Sequence, residues 1–272
     1  MVEYINASDY PIKYTGQIRL YTNEDFNKMR EVGKIAATCL DEIYNLIKAG
    51  ITTQDIDDFV MQFAKQHDVI PAPLNYRGFP KSVCTSINHV VCHGIPNDRM
   101  LKEGDIINVD VTFIKDGWYG DSSRMYAVGQ IKRNAERLLE ITHECLMRAI
   151  EIIKPDVPIN EIGKVIEDYA TSQHCSVVRD FCGHGIGKLF HDAPNILHYK
   201  NNESDVILRE GMIFTIEPMI NLGKYGVKVL QDGWTAVTRD RSLSAQYEHT
   251  IGVTKDGYEI FTLSPKNIFY TV

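Results

Sequence analysis

Apolar and polar side chains alternate from residue 107 to residue 113. Ile107, Val109, Val111 and Phe113 fall on one face of a predicted strand, and Asn108, Asp110 and Thr112 on the other. Lys115-Asp116-Gly117 then reads as a tight hairpin turn, with Asp-Gly its strongest signal. Folding back through a two-residue loop puts Asp110 and Asp121 on the same face, opposite or diagonal to each other. Two carboxylates that close repel, and burial demands a neutralising partner, for which a divalent cation is the usual answer. On the hairpin alone, that reading and a pair of surface aspartates stay equally open.

Helical spacing appears upstream. Asn23-Glu24-Asp25-Phe26 reads as an N-cap with acids in the first turn, and Phe26, Met29, Val32, Ile35 and Ala36 keep the helical period. The predicted helix runs to about Lys48, where Ala49-Gly50 stops it. Thr53-Gln54-Asp55 predicts the cap of a second helix, about 54–67, burying Ile56, Val60 and Phe63. Residues 82–93 read as a strand, a turn at Asn88 and a second strand. Residues 1–23 hold four tyrosines, Pro11 and Gly16 without a clear period, and are read as an N-terminal arm.

The pattern restarts near residue 133. At an offset of 106, Cys39-Leu40 meets Cys145-Leu146, and Ile56, Val60, Phe63 and Ala64 meet Ile162, Ile166, Tyr169 and Ala170. At 107, Leu101-Lys-Glu-Gly104 meets Leu208-Arg-Glu-Gly211, and Val109-Asp110 meets Ile216-Glu217. A carboxylate landing on a carboxylate behind a matched Leu-basic-Glu-Gly is stronger than the apolar matches. The expectation is one catalytic domain, 24–272, of two helix–helix–strand halves, about 24–130 and 131–254, related by a pseudo-twofold. Asp110 and Glu217 then face each other across that axis.

Composition narrows the class. A formal net charge of −7 over 272 residues leaves no electrostatic footprint for nucleic acid or anionic membrane. The first residues show no basic region followed by an apolar run, and no stretch approaches the roughly 18 apolar residues of a membrane span. Six scattered cysteines with no C-x-x-C read as reduced, buried cytosolic thiols.

Several further residues carry candidate chemistry. His184 sits in Cys-Gly-His-Gly-Ile-Gly after a predicted strand over 175–181, and its flanking glycines strip away cover. His191 follows seven residues on. Glu217 interrupts the apolar run Met212–Ile216, and Glu248 shares a strand face with Gln246 and Thr250. His93 ends a strand at a Gly turn. Each alone has a plainer reading as a surface His, a solvated Glu, an edge-strand charge or a structural His. Together, Asp110, Asp121, His184, Glu217 and Glu248 supply four carboxylates and one imidazole. That set suits Mn, Fe, Co or Zn in a dinuclear site rather than a structural zinc. Two ions about 3.5–4 Å apart bridge and activate a water and polarise a carbonyl. His93 and His191 are then placed to bind substrate or its oxyanion. The residues themselves reach a dinuclear amide or ester hydrolase and stop there.

Taken with their surroundings, these residues resemble the type I methionine aminopeptidases of the pita-bread metallopeptidase family. The likeness covers about residues 24–254. Its motifs are Lys81-Ser-Val-Cys-Thr-Ser-Ile-Asn88, Val-Val-Cys-His93-Gly-Ile-Pro, Asn108-Val-Asp110, Gly120-Asp121, Gly183-His184-Gly-Ile-Gly, Phe190-His191, Thr215-Ile-Glu217-Pro and Gln246-Tyr-Glu248-His-Thr. The resemblance implies an α+β pita-bread fold, two pseudo-twofold halves around a curved, mainly antiparallel sheet. It implies a cytoplasmic, monomeric enzyme that removes initiator methionine from nascent chains with a small second residue, near the ribosome, without stable nucleic-acid or membrane binding. Asp121 and Glu248 would bridge two divalent ions (Co, Mn, Fe or Zn), with Asp110 completing one shell and His184 and Glu217 the other. The bridging water would attack the scissile carbonyl. Glu217 would shuttle its proton, and His93 and His191 would contact the substrate. The methionine pocket maps to Tyr76, Phe79, Cys84, Phe190 and Trp234, walls that suit a polarisable thioether. Phe79 stands where tyrosine is common, and Pro73 where cysteine is common in some members. A Na or K ion would fall on Asn88, Val90 and Ser244. Only thirty residues separate Glu217 from Glu248, which favours type I over the insertion-bearing type II. Two rivals remain. Prolidase-like enzymes carry a large N-terminal domain that twenty-three residues cannot supply, and a non-catalytic scaffold of this fold would have lost ligands.

Overall fold

The hairpin forms as its alternation predicts. Strands Ile106–Lys115 and Trp118–Ala127 pair antiparallel with Lys115 opposite Trp118, so Asp116-Gly117 is the whole loop. Both loop residues take positive φ, 49° and 80°, the twist-matched geometry that favours Asp-Gly. Thr112 lies opposite Asp121, and Asp110 opposite Ser123. The two aspartates are therefore diagonal neighbours on one face. The other face, Ile107, Val109, Val111 and Phe113, is wholly buried against Met29, Val32, Ala36 and Leu40 of the first helix.

The computed structural model describes residues 2–202 and 204–268; Met1 and Val272, the expected limits of arm and domain, lie outside them. Four long helices flank the sheets: α1 (Asn23–Leu46), α2 (Thr53–His67), α3 (Arg133–Glu151) and α4 (Asn160–Ser172). The caps of α1 and α2 fall one residue before the expected Asn23 and Thr53. Thr22 Oγ1 accepts from the Asp25 N–H, and Asp25 accepts from the Thr22 N–H. Thr52 and Asp55 repeat the arrangement. A Thr with an acid three residues on satisfies two orphan donors reciprocally, which Asn23 and Thr53 cannot do.

One core gathers α1 and α2 on the hairpin; a second gathers α3 and α4 on the later strands. Neither core is confined to one stretch of the chain: Ile106 and Met125 enter the second, Ile186 and Ile213 the first. Three strand expectations need correction. The run through Glu217 is two strands, Ile213–Ile216 and Met219–Asn221, broken at Glu217-Pro218 because proline lacks the ladder N–H. Glu248 lies between strands Ser244–Gln246 and His249–Val253, bridged to Ser123, rather than within one strand. The strand expected over 175–181 shrinks to Ser176–Val177.

The expected arm is docked. Tyr4–Asn6 pairs in parallel with Ile18–Leu20, whereas the other paired strands described are antiparallel. Ile5, Ile18 and Tyr21 are buried. Among the described residues, no helix is long and apolar enough to cross a membrane.

Candidate active site

Five elements converge on one cavity of about 390 Å³. The hairpin brings Asp110 and Asp121 to it, the short strand Gly183–Gly185 brings His184, and the two strand breaks bring Glu217 and Glu248. The glycines beside His184 serve the sheet rather than the imidazole. A Cβ on Gly183 would sit 2.4 Å from the Thr215 carbonyl oxygen, and one on Gly185 2.0 Å from that of Ala193. They let two neighbouring strands close on His184 from either side.

Ligand atoms of Asp121, His184 and Glu248 all lie within 4.8 Å of one another. His184 Nε2 is 3.7 Å from Asp121 Oδ2 and 3.7 Å from Glu217 Oε1. Its Nδ1 lies 3.0 Å from the Gly185 carbonyl oxygen. A carbonyl only accepts, so Nδ1 carries the proton and the Nε2 lone pair faces the carboxylates. Burial pulls the His184 pKa down to about 4, which keeps the ring neutral.

Burial first, and then mutual repulsion, pushes the carboxyls of Asp110, Glu217 and Glu248 well above their ordinary range. Burial also raises Asp121, against hydrogen bonds from Thr112 and Ser122. Asp110 and Glu217 keep some solvent contact only because they line the cavity. Among the described residues, no lysine or arginine pairs with any of the four. Four crowded carboxylates without an organic cation, facing an imidazole lone pair, fit a divalent metal by charge and by donor type.

His93 and His191 border the same cavity. The His93 ring meets Phe181 and Trp234 edge-on, and His191 lies 4.2 Å from His184 by ring centroids. Burial against these walls lowers both imidazoles, and for His191 the neighbouring His184, Arg77 and His93 lower it further. Tyr76, Phe79, Cys84, Phe190 and Trp234 all line the cavity, with Phe79 packed edge-on to Trp234 at 5.2 Å. Pro73 is there too. Asn88, Val90 and Ser244 lie apart from it: Asn88 is in the turn between strands Cys84–Ile87 and Val90–Cys92, and the N–H of Ser244, at the start of strand Ser244–Gln246, donates to the Asn88 carbonyl at 2.9 Å.

The model of metallopeptidase family M24 matches residues 27–255. The chain belongs to metallopeptidase family M24. A methionine aminopeptidase of Rickettsia prowazekii is 56% identical over 254 residues, 93% of this chain and 98% of that one. One of Escherichia coli K12 is 50% identical over 251 residues, 90% and 94% of the two chains. The crystal structure of the Rickettsia enzyme superposes with a TM-score of 0.89 over 91% of this chain and 100% of that one. Prolidase from Pyrococcus furiosus shares the fold, with a TM-score of 0.70 at 20% identity, and this chain spans 65% of its length. The M24 pita-bread fold and metallopeptidase class expected from sequence therefore hold.

Some residues around the cluster escape sequence reading. Thr215 Oγ1 and Gln246 Nε2 donate to Glu217 at 3.0 and 3.1 Å, and buried His198 accepts the Glu217 N–H at 3.1 Å. Thr215 and Gln246 stand inside quoted motifs, so their position was visible but not their duty. His198 gives no signal at all: a lone His in an apolar stretch reads as core. Phe181 and Met219 complete the apolar wall.

Proposed function

We propose that this chain removes the N-terminal methionine from nascent polypeptides whose second residue is small. One observation carries the reading: the carboxylate–imidazole cluster opens directly onto a cavity walled by Tyr76, Phe79, Cys84, Phe190 and Trp234. Aromatic faces and a thiol suit an unbranched thioether. The M24 relatives named as methionine aminopeptidases support it, at 50–56% identity over most of both chains.

Asp110, Asp121, His184, Glu217 and Glu248 would hold two divalent ions, Asp121 and Glu248 shared between them; Mn, Fe, Co and Zn all match the donor set. The tight grouping of Asp121, Glu248 and His184 supports that division, with Asp110 outside it. When bound, the ions supply Lewis acidity and a nucleophilic water at neutral pH. Glu217 holds and passes the proton from the attacking water to the leaving amine, its carboxylate aimed by Thr215 and Gln246. Neutral His93 and His191 donate to the substrate and to the oxyanion. The aromatic wall orients the methionine and excludes water.

A Na or K ion at Asn88, Val90 and Ser244 belongs to the same reading. Ser244 Oγ is buried without a hydrogen-bond partner among the described residues, which supports it. The Asn88 carboxamide is already engaged by Asp105 and Ile106, so this ion would draw on Asn88 through its carbonyl. We take residues 24–272 as one catalytic domain of two pseudo-repeated halves: α2 offset by 106 falls on 159–173, against Asn160–Ser172 for α4. The protein works as a cytoplasmic monomer near the ribosome without stable nucleic-acid contact; its negative charge and six unpaired cysteines support that setting.

The test is cleavage of Met-Ala-Ser peptides after chelation and reconstitution with Mn, Fe, Co or Zn. Release of methionine that returns with metal is expected. Intact Met-Ala-Ser beside cleaved Xaa-Pro peptides would move the protein to the prolidase branch of the fold.

A further inference from the structure

Residues 19–21 grip both ends of the loop that carries Phe190 and His191. They lie ahead of residue 27, where the M24 match begins. At the far end, Arg19 Nε donates to Asp192 Oδ2 at 2.9 Å, and Nη2 donates to the carbonyl oxygens of Pro11 and Lys13 at 3.0 and 2.8 Å. Arg19 is 5% and Asp192 4% exposed. Asp192 Oδ1 accepts the Ala193 N–H, and Asp192 pairs with Gly185 beside His184. At the near end, Tyr21 Oη accepts the Lys188 N–H at 3.4 Å, with the Tyr21 ring against Trp118. A Cβ on Gly187 would meet that Oη at 2.4 Å.

His191 itself has no hydrogen bond to its ring among the described residues. Its neighbours are the rings of His184, Tyr76 and Phe190. Its direction therefore depends on where the backbone of Asp192 is held. A buried ion pair is a weak means of gaining stability, since apolar side chains of similar volume often serve as well. What a guanidinium adds is a rigid planar fork with several fixed donors. Here that fork joins two backbone carbonyls of the arm to one carboxylate next to His191.

We propose that the arm is part of the working site: Arg19 is a positioning residue that holds Asp192 and, through it, the His191 imidazole on the cavity wall. This rests on His191 contacting substrate, as proposed above. The arm's docking is then a functional brace, because residues 11–13 supply the carbonyls that orient Arg19.

The experiment uses the full metal-loaded chain and a Met-Ala-Ser peptide. Arg19→Met lowers kcat/KM by about 10- to 100-fold, mainly through kcat, as a displaced group near the reacting atoms does. Arg19→Lys recovers part of the loss, since an ammonium reaches Asp192 but cannot span the fork. In a His191→Ala background, Arg19→Met costs nothing further. The double variant Arg19→Met/Asp192→Leu leaves no unpaired buried charge; it keeps the native melting temperature but stays slow. Wild-type turnover in that double variant overturns the proposal, and so do Arg19 and His191 losses that multiply independently. The wild-type rate separates the two readings. No wild-type cleavage sinks the substrate assignment, whereas wild-type cleavage with undiminished Arg19→Met turnover sinks the arm's role.

Discussion

Asp110 and Glu217 match at an offset of 107 in the sequence, yet their strands differ. Asp110 stands in an unbroken ten-residue strand of a hairpin. Glu217 stands in a gap between two short strands, ahead of Pro218. Their surroundings differ in the same sense. No side-chain or backbone donor reaches the Asp110 carboxylate among the described residues, whereas Glu217 receives Thr215 and Gln246. A carboxylate without donors on a rigid strand offers only charge and position. One that is hydrogen-bonded at a break keeps its direction whether or not it is ionised. The difference is what the proposed division of labour needs: Asp110 for holding a cation, Glu217 for handling a proton as well.

The largest expected effects test that division directly. Chelation abolishes turnover in either case. Glu217→Gln keeps the shape and much of the hydrogen bonding but cannot carry the proton, so kcat falls on the order of 10²- to 10⁴-fold. Asp110→Asn removes charge from a position with nothing else to offer. It loses more bound metal than Glu217→Gln at equal added metal, read by elemental analysis beside kcat. Equal metal loss in the two variants would break the comparison.

The two regions also differ in how far they could be read from sequence. The hairpin was legible to its loop, because period-two alternation and Asp-Gly are local signals that no distant contact overrode. The break at Glu217 was half legible. Its apolar run and carboxylate are plain, but the run alone reads as a continuous strand, and the break comes from Pro218, which cannot donate to the ladder. The caps were missed by one residue because Thr22 and Thr52 act only through acids three positions on. The glycines about His184 were seen, but their reason was not: it lies in the carbonyls of Thr215 and Ala193, which sequence does not bring near. His198 and the Arg19–Asp192 pair were invisible for the same reason. The partners are far apart in the chain, and neither residue type is informative alone.

Metal-free stability against pH sharpens the comparison next. The site carboxyls hold protons in the folded chain that the unfolded chain has released above about pH 5. Their pKa values are raised, so the stability they contribute is present in acid and lost as pH rises through the folded values. Asp121 is pushed up to about 7, and the other three are raised as well. Buried histidines act oppositely: His184 is pulled to about 4, and His198 and His249 to about 3, so their term is lost as pH falls below about 6.5. Between pH 6.5 and 8 the histidine term is complete and the buried thiols, also raised by burial, have not yet added a loss of the same sign, so the carboxylate term dominates. The melting temperature of metal-free protein should fall across that window, and Asp110→Asn should flatten the slope. Each additional proton held by the folded chain is worth about 1.4 kcal/mol per pH unit. A metal-free melting temperature that rises from pH 6.5 to 8 would contradict the buried-carboxylate account.

The smallest effect separates scaffold from site. Gly117 has φ of 80° in the hairpin loop, and nothing lies within 4 Å of where its Cβ would be. Gly117→Ala therefore meets no clash and costs only the left-handed backbone penalty, about 1–2 kcal/mol. For a chain of this size that lowers the melting temperature by a few degrees, about 2–4 °C per kcal/mol. Turnover should not move, because the ladder from Lys115–Trp118 to Asp110–Ser123 fixes the register independently of the loop. Pro218→Ala is its counterpart at the break. It restores a backbone N–H beside Glu217 and frees a ring-locked φ, so it should change kcat more than melting temperature. The pair is read together, by calorimetry and by Met-Ala-Ser turnover on the same preparations. If Gly117→Ala slows turnover while Pro218→Ala leaves it untouched, the hairpin is the adaptable partner and the assigned roles exchange.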